Sequence, residues 1–420
     1  GKAPSGLNQT DGIILASLVR APNAPPAAVT RRACALAKEW RMDSSCQLIG
    51  QRVQTALQRT ALYADLAPAP QVAQQLLKQP GAQVASTLDG ALQRFAQENL
   101  RQQLGSLRER NVNDGAIIVL DNRSGDILAY VGNAGGSHID GVTALRQAGS
   151  TLKPFLYELA IERRLMTAAS VMDDSPLDVA TASGMYAPQN YDRNFKGYVS
   201  ARTSLASSLN IPAVRTVLLT GQDGFYNRLK DVGLSSLTEP AEYYGPSLAL
   251  GSSEVTLLEL ANAYRALANG GLYSTASLQP GQAGKDKRRV MEAGAAFITG
   301  DILADRAARS MTFGLRNELG TNFWSAVKTG TSKDMRDNWC MGYSERYTVG
   351  VWVGNFDGKP MWDVSGVTGA APVWRDVMDY LHKNVPSHAP KAPPGVLQQM
   401  VAYQPALEAP RREWFIAGTE

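Results

Sequence analysis

A serine and a lysine that lie three residues apart, Ser150 and Lys153, are the first pair in this sequence able to support covalent chemistry. The run 148–155 (Ala-Gly-Ser-Thr-Leu-Lys-Pro-Phe) predicts a loop that enters a helix, because apolar residues recur at helical spacing from Leu152 onward. Pro154 fits only in the first turn of that helix, where its missing N–H costs nothing. Residues three apart share one face of a helix. The Lys153 amine could therefore take the Ser150 proton and make that serine a nucleophile.

Two further polar motifs follow at long separations. Ser208 and Asn210 precede Pro212, which is expected to break a helix at this point. Their spacing predicts a hydroxyl and an amide along one edge of the break. The run 328–331 (Lys-Thr-Gly-Thr) closes a strand-like stretch, and its glycine would let a substrate backbone approach closely. Taken alone, each motif is more simply explained as polar surface: a solvated helix face, a capped helix end or an exposed strand end.

Strand and helix patterns around the motifs predict an α+β domain. Residues 116–120 and 126–131 flank the turn 122–125 (Asn-Arg-Ser-Gly) and indicate a β-hairpin. Three more strands are predicted later in the chain: 323–328, 339–343 and 347–353. A mostly helical block, 150–305, separates the two groups, and a helix over 372–381 closes the domain. We therefore expect a five-stranded antiparallel sheet with an inserted helical block.

Four segments are predicted along the chain: 1–62, 63–112, 113–385 and 386–420. The first has three helical stretches rich in Ala, Leu and Arg. The second is a connector, in which 84–88 is expected to be a short strand and Asp89 the cap of an amphipathic helix. The third is the α+β domain. The fourth is a Pro-rich linker and the start of a C-terminal region.

Composition sets the broad class of the protein. Of its 420 residues, 44% are hydrophobic and 19% are charged, as in ordinary soluble globular proteins, and no apolar run reaches membrane-spanning length. The net charge of +4 is too small to indicate a nucleic-acid partner. The three cysteines, Cys34, Cys46 and Cys340, and the three histidines lack metal-ligand spacing, so no metal or cofactor is expected. The cysteines are interpreted as isolated thiols, although a Cys34–Cys46 bridge stays open.

Ser-x-x-Lys, Ser-x-Asn and Lys-Thr-Gly, in this order, form the signature of the penicillin-recognising serine enzymes. On these motifs the sequence resembles the class A penicillin-binding proteins, and most of all their 1C type. The resemblance extends to further stretches: 86–93, 186–192, 195–197, 248–251, 257–264 and, more loosely, 1–25. It implies the transpeptidase fold, in which helices flank a five-stranded antiparallel sheet, and a helical remnant of the glycosyltransferase domain over 1–62.

The resemblance also implies a reaction, the cross-linking of peptidoglycan stem peptides that end in D-Ala-D-Ala through an acyl-enzyme on Ser150. Lys153 would be the base, Ser208 would relay a proton to the leaving amine, and Asn210 would hold the substrate amide. Lys328 would help to keep the Lys153 amine neutral. β-Lactams would acylate the same serine as covalent inhibitors.

By the same resemblance, the third motif would bind the terminal carboxylate of the substrate through Lys328, Thr329 and Thr331, and Gly330 would leave room for it. The backbone N–H groups of Ser150 and Thr331 would form the oxyanion hole. The strand that ends at Lys328 should be a sheet edge, and the peptide would lie beside it as an added strand.

The chain departs from the class A pattern at its beginning. The glycosyltransferase of that family uses a Glu-Asp pair near the start of its domain, and no Glu-Asp dipeptide occurs in this sequence. We therefore expect 1–62 to hold only the last helices of that domain and the chain not to polymerise glycan strands, although its parent would be bifunctional. The resemblance further implies a place on the periplasmic face of the inner membrane, an anchor outside this sequence, and partners in wall synthesis.

Two other functions stay open. A D,D-carboxypeptidase would transfer the acyl group to water instead of to an amine. A non-catalytic scaffold or sensor of a wall-synthesis complex would keep the fold without turnover. A β-lactamase is disfavoured, because no segment resembles the loop that carries the deacylating glutamate of the class A β-lactamases.

Overall fold

The computed structural model describes residues 9–42, 45–57, 68–135, 137–181 and 184–420 of the chain. The chain divides into two compact units, Gly1–Pro68 and Ala69–Glu420. Within the described ranges, no helix combines the length and the apolar character needed to cross a membrane.

The described part of the first unit contains three helices, α1 (Gln9–Val19), α2 (Pro26–Glu39) and α3 (Cys46–Leu57). A small apolar core joins them: Ile13, Ile14, Val29, Ala33, Ala37, Ile49 and Val53. The interpretation of all three cysteines as isolated thiols is wrong, because Cys34 of α2 and Cys46 at the start of α3 form a disulfide. The pair meets only when α2 and α3 pack together, and sequence spacing does not predict that packing.

The helices of the second unit are α4 (Pro70–Leu76), α5 (Gly90–Ser106), α6 (Lys153–Glu162), α7 (Ala201–Ala206), α8 (Asn210–Thr220), α9 (Gln222–Asp231), α10 (Ala241–Tyr244), α11 (Leu257–Ala268), α12 (Ala293–Ala304), α13 (Ser310–Phe313) and α14 (Ala371–Leu381). Short 3-10 turns cover Arg108–Arg110, Gly149–Leu152, Gly245–Leu250 and Lys333–Met335.

The strands of this unit are β1 (Asp114–Asp121), β2 (Ile127–Val131), β3 (Arg146–Gln147), β4 (Val171–Asp174), β5 (Val179–Thr181), β6 (Gly184–Tyr186), β7 (Gly197–Ser200), β8 (Glu254–Val255), β9 (Leu272–Tyr273), β10 (Arg288–Arg289), β11 (Ala326–Thr331), β12 (Asp337–Tyr343), β13 (Tyr347–Gly354), β14 (Val396–Val401) and β15 (Arg411–Ile416). Paired strands β3–β8, β4–β7, β5–β6, β9–β10 and β14–β15 form small two-stranded sheets.

The central sheet has five antiparallel strands in the order β11-β12-β13-β1-β2. This order confirms the predicted fold class, and it makes β11 an edge strand. The strand predicted over 323–328 instead begins at Ala326 and continues to Thr331, so Lys328 lies in its middle and not at its end.

Apolar side chains cover both faces of the sheet. In β1, Ile118 and Leu120 belong to the core shared with α6 and α11, whereas Ile117 and Val119 belong to the core shared with α5 and α14. The alternation follows from the two-residue period of a strand. The helical block between β2 and β11 packs on the face of the sheet that carries α6. This packing places the motif of Ser208 and Asn210 next to the motif of Ser150 and Lys153.

Residues 84–88, predicted as a short strand, do not form one. The Thr87 N–H donates to Leu278 O and the Asp89 N–H donates to Leu128 O, each at 2.9 Å, but no ladder of paired residues follows along this described segment. The predicted cap is confirmed, because the Asp89 carboxylate accepts two of the first free N–H groups of α5.

The predicted linker over 386–420 contains an ordered hairpin, β14 with β15. Ile416 belongs to the core of the second unit, and Trp414 packs edge-on against Phe297 of α12 with 5.1 Å between ring centroids. The hairpin is therefore part of the second unit. The four segment boundaries stay predictions.

Candidate active site

Ser150 lies in the 3-10 turn 149–152, which leads directly into α6. Pro154 occupies the first turn of that helix, where its missing N–H costs nothing. Two backbone hydrogen bonds of 3.1 Å anchor the turn to the segment 251–253. Ser150 is thus held, partly buried, at the entrance of the helix.

Lys153 is the first residue of α6 and is fully buried. Its Nζ donates to three oxygens of the second motif: Ser208 O at 2.8 Å, Leu209 O at 3.0 Å and Asn210 Oδ1 at 2.6 Å. Three acceptors therefore surround the buried amine. The first two motifs form one hydrogen-bonded group.

Both lysines of the site have lowered pKa values. Burial is the main cause for Lys153, the positive charge of Lys328 adds to it, and the Asp174 carboxylate opposes it, so the pKa of Lys153 lies well below its usual value. Burial also lowers the pKa of Lys328 to about 7, with the Cys340 thiol opposing this shift and the Arg309 charge favouring it. Amines whose protonation is disfavoured can act as bases near neutral pH.

Ser208 lies in the break between α7 and α8 and has a φ of +61°. The expectation that Pro212 causes this break is wrong, because α8 begins at Asn210 and Pro212 lies in its first turn, where proline is tolerated. The turn directs two groups of Ser208 to different partners. Its carbonyl accepts from Lys153, and its hydroxyl accepts from Lys328 Nζ at 2.7 Å.

The third motif lies on the edge strand β11, against the turn that contains Ser150. A Cβ at Gly330 would lie 2.7 Å from Thr151 Cγ2. A Cβ at Gly149, which has a φ of +55°, would lie 2.8 Å from Thr331 O and 3.0 Å from Thr331 N. The Ser150 turn and β11 approach so closely that a side chain at either position would collide with the other segment. Both positions therefore need glycine. On its other side, Thr331 Oγ1 accepts from the Gly366 N–H at 3.1 Å.

Hydrogen bonds join four of the eight predicted site residues directly: Lys153, Ser208, Asn210 and Lys328. Thr329 adds its carbonyl, which accepts from Lys328 Nζ at 2.9 Å. Gly330 and Thr331 flank the Ser150 turn. Among the residues that the structure describes, none forms a hydrogen bond with the Ser150 hydroxyl, which is therefore available to an incoming group.

The profile of the penicillin binding protein transpeptidase domain matches residues 115–379, which is more than half of the chain. The chain belongs to this family. Similar curated proteins include penicillin-binding protein 1C of Escherichia coli (strain K12), 32% identical over 394 residues, and penicillin-binding protein 1A of Neisseria meningitidis serogroup A, 30% identical over 311 residues. These alignments cover 91% and 69% of this chain but 50% and 38% of the relatives. The chain thus spans half or less of the length of these relatives.

Solved structures show the same fold. Penicillin-binding protein 1A from Haemophilus influenzae aligns with a TM-score of 0.73 at 20% identity, covering 100% of this chain and 87% of that one. The PonA1 protein from Mycobacterium tuberculosis in complex with penicillin V aligns with a TM-score of 0.62 at 22% identity, covering 79% and 93%. The predicted resemblance to class A penicillin-binding proteins is confirmed, and so is the transpeptidase fold.

In this member of the penicillin-binding protein transpeptidase family, two buried polar residues that the sequence does not single out support the second motif. Asp174 accepts two hydrogen bonds from Asn190 Nδ2, at 2.9 and 2.8 Å. Asn190 Oδ1 in turn accepts from the Asn210 N–H at 2.8 Å, and Gln189 O accepts from Asn210 Nδ2 at 2.7 Å. Asn190 belongs to a stretch that resembles the family, which could have drawn attention to it. Asp174 has no comparable signal.

Proposed function

We propose that this chain is a serine D,D-transpeptidase that cross-links peptidoglycan stem peptides and is acylated by penicillins on Ser150. The proposal rests above all on the hydrogen bonds that join the motifs: Lys153 to the carbonyl of Ser208, and Lys328 to its hydroxyl. Membership of the penicillin-binding transpeptidase family supports it independently. Donor peptides that end in D-Ala-D-Ala are part of the proposal.

In the acylation step, the Ser150 hydroxyl attacks the carbonyl carbon of the penultimate D-Ala, and its proton passes to Lys153 Nζ. The amine must be neutral, and burial beside Lys328 favours that state. A neutral amine has two N–H bonds and one lone pair, whereas Lys153 faces three acceptors. One of the three contacts is therefore released, and the lone pair can turn to Ser150.

The tetrahedral intermediate then collapses, and the C–N bond to the terminal D-Ala breaks. The leaving amine needs a proton, which the Ser208 hydroxyl can supply. Lys328 Nζ uses only a lone pair of that hydroxyl, so its O–H stays free to donate. The proton that Ser208 gives up is replaced by the one Lys153 took from Ser150. Backbone N–H groups of Ser150 and Thr331 would stabilise the oxyanion, by about 3 kcal/mol for each donor.

The third motif would bind the terminal carboxylate. Lys328 offers a positive charge, and Thr329 and Thr331 offer hydroxyls. Thr331 Oγ1 already accepts from the Gly366 N–H, so its own proton is free for a carboxylate oxygen. The outer side of β11 can pair with an extended peptide, because this strand is the edge of the sheet. Gly330 does not supply that room, because a Cβ there would meet Thr151 Cγ2 at 2.7 Å and Ala148 O at 2.8 Å; its glycine serves the packing of β11 against the Ser150 turn.

The fate of the acyl-enzyme separates the candidate activities. An amine from a neighbouring stem attacks the Ser150 ester, forms the cross-link and restores the serine hydroxyl. Water as the acceptor would make the chain a D,D-carboxypeptidase. A scaffold or sensor would not be acylated at all.

Intact-mass spectrometry tests the proposal. Benzylpenicillin should add the mass of one penicilloyl group, peptide mapping should assign it to Ser150, and the Ser150→Ala variant should gain no mass. A D-Ala-D-Ala peptide or thioester with an added amine acceptor should yield the aminolysis product. If only the hydrolysis product forms, the chain is a D,D-carboxypeptidase and not a transpeptidase. A chain that forms no adduct would contradict both enzymatic activities.

The cellular setting is also a proposal. Peptidoglycan lies outside the inner membrane, so the chain would work at the periplasmic face, held by an anchor outside this sequence, with partners of the wall-synthesis machinery. Glycan polymerisation is not expected, because the sequence contains no Glu-Asp pair of the kind the family's glycosyltransferase uses. Polymerisation of lipid II by the purified chain would contradict this part.

A further inference from the structure

The hairpin β14–β15 lies outside the region that matches the family, yet two of its carboxylates bind the helix that precedes Ser208. Glu408, between the two strands, accepts from the Ser200 N–H at 2.8 Å and from the Ser200 hydroxyl at 3.0 Å. Ser200 is the N-cap of α7, since its Oγ accepts from the Thr203 N–H at 3.0 Å. Glu408 therefore fixes the residue that caps the start of α7.

Glu413 of β15 binds the first turn of the same helix. Its carboxylate forms a two-point ion pair with Arg202, in which Nε donates to Oε2 at 2.6 Å and Nη2 donates to Oε1. Each of the two residues is only 1% exposed. Arg202 also pairs with Asp301, at 2.6 Å, and with Asp305, at 3.3 Å, but only Glu413 binds it at two points and is itself buried. Loss of the Glu413 charge would therefore leave Arg202 held by Asp301 and Asp305 alone, and would change its position.

The other end of α7 leads directly to Ser208. The helix has only six residues, so a displacement of its first turn is passed on to its last. Ser207, which follows the helix, donates its hydroxyl hydrogen to Ala308 O at 2.8 Å. This contact ties the break that contains Ser208 to the chain after α12.

Asp305 connects that second contact back to the hairpin. Its Oδ1 accepts from the Ala308 N–H at 3.0 Å. The same carboxylate forms ion pairs with Arg202 of α7, at 3.3 Å, and with Arg411 of β15, at 2.5 Å. Both ends of α7 are therefore connected to the hairpin, one directly and one through Asp305.

We propose that Glu408 and Glu413 are positioning residues for the acylation step. They do not contact the reacting atoms; they hold α7 so that the Ser208 hydroxyl meets Lys328 and the Ser208 carbonyl meets Lys153. A displaced α7 would leave binding at the third motif intact and would slow the chemical step. The inference rests on the proposed function, in which Ser208 relays the proton.

The test uses Glu413→Gln and Glu408→Gln, which remove a charge with little change of shape. In stopped-flow acylation by a fluorescent penicillin, the first-order acylation constant should fall about tenfold in E413Q and about threefold in E408Q, because small misplacements of a reacting group cost rate. The dissociation constant of the complex that precedes acylation should change less than about twofold. Glu413→Asp keeps the charge and should recover part of the rate. Arg412→Gln, at the exposed neighbouring position, should match the wild type.

Rates are measured where circular dichroism shows each variant to be folded. A wild-type acylation constant in folded E413Q and E408Q would overturn the inference, and so would an equal loss of acylation and of prior binding. If E413Q does not fold, E408Q decides alone, because Glu408 is only partly buried. A wild type that is not acylated would overturn the proposed function, whereas an acylated wild type with unaffected variants would overturn only the role of the hairpin.

Discussion

Lys153 and Lys328 contact the same residue from two directions. Lys153 Nζ donates to the backbone oxygen of Ser208 at 2.8 Å, and Lys328 Nζ donates to its hydroxyl at 2.7 Å. Both amines are buried, so a charge on either one disfavours a charge on the other. In the proposed reaction, this pairing favours a neutral Lys153 as base, and Lys328, with its pKa of about 7, carries a charge for the substrate carboxylate below that pH.

Lys153→Met should abolish acylation and leave the fold intact. Methionine has a similar length but cannot accept the Ser150 proton, so we expect the acylation rate to fall about a thousandfold or more. The three oxygens that accept from Lys153 would lose their donor, which lowers the free energy of unfolding by about 1–3 kcal/mol. Removal of the buried amine raises the same free energy and offsets this loss. Stopped-flow acylation and urea unfolding measure the two effects. Lys359→Met, at an exposed lysine, is the control, and normal acylation of K153M would contradict the assignment of the base.

Lys328 should make stability depend on pH. Its pKa falls from 10.5, the usual value for the unfolded chain, to about 7 in the folded protein. Between these values the unfolded state binds a proton that the folded state lacks, so the free energy of unfolding rises with pH, by at most about 1.4 kcal/mol per pH unit. Below about pH 7 Lys328 is protonated in both the folded and the unfolded state, so the free energy of unfolding no longer changes with the titration of this group and is lowered by the full cost of burying its charge.

Lys328→Met removes this cost and provides the comparison. By urea unfolding, the variant should be more stable than the wild type near pH 6, and its advantage should shrink as the pH rises toward about 10. A difference between the two proteins that stays constant over this range would show that Lys328 does not titrate with a lowered pKa.

The central sheet could be predicted because its strands carry local patterns. The apolar run 116–120, the turn 122–125 and the run 126–131 define a hairpin by themselves. The aromatic residues Phe323 and Trp324 suggested an earlier start for the edge strand. The Trp324 N–H instead donates to Ser387 O at 3.3 Å, a partner that no local pattern indicates.

Contacts between distant residues could not be predicted in the same way. Asp174 matters to the site because Asn190 and Asn210 continue its hydrogen bonds to the second motif, and a lone aspartate in the sequence does not show this. The Cys34–Cys46 disulfide likewise depends on how two helices pack. The three motifs can be recognised from their residue types, spacing and order, which do not depend on knowledge of the packing.

Ser208→Gly should slow acylation without unfolding the protein. Ser208 has a φ of +61°, which glycine adopts without strain, so the turn and the carbonyl that receives Lys153 are kept. Loss of the hydroxyl removes the proposed proton relay, and the acylation rate should fall about a hundredfold or more. Asp334→Gly, the same kind of change at an exposed residue with a φ of +61°, should acylate normally. A wild-type rate in S208G would exclude Ser208 as the relay.

Asp174→Asn should weaken the fold and shift the pH dependence of acylation. The amide would offer a donor where Asn190 Nδ2 already donates, and we expect a loss of about 1–3 kcal/mol in urea unfolding. The Asp174 charge also raises the pKa of Lys153, so its removal should lower that pKa further. The acid limb of the acylation rate should therefore move to lower pH. Asp178→Asn, at an exposed position, is the control, and a limb that stays in place or moves upward would contradict the argument.

Hydrogen exchange should separate the two units of the chain. Among the described residues of 1–62, the helices α1, α2 and α3 share a core of seven buried apolar residues. In contrast, β1 and β13 pair with each other and are buried on both faces. A small core supports little protection on its own. We therefore expect weak protection over the described residues of 1–62 and strong protection in 117–120 and 349–353, with millisecond to hour labelling followed by mass spectrometry.

Reduction of the disulfide sharpens this last expectation. Cys34 and Cys46 are twelve residues apart, and a cross-link over such a loop contributes roughly 3 kcal/mol to stability. A reductant, or the variant Cys34→Ser, should therefore lower the protection of α2 and α3 further. The strands should not respond, because Cys340 is a buried free thiol that forms no disulfide. Protection of α2 equal to that of β13 would mean that the three helices form a stronger core than their seven buried residues indicate, and no response to reduction would mean that the disulfide does not stabilise them.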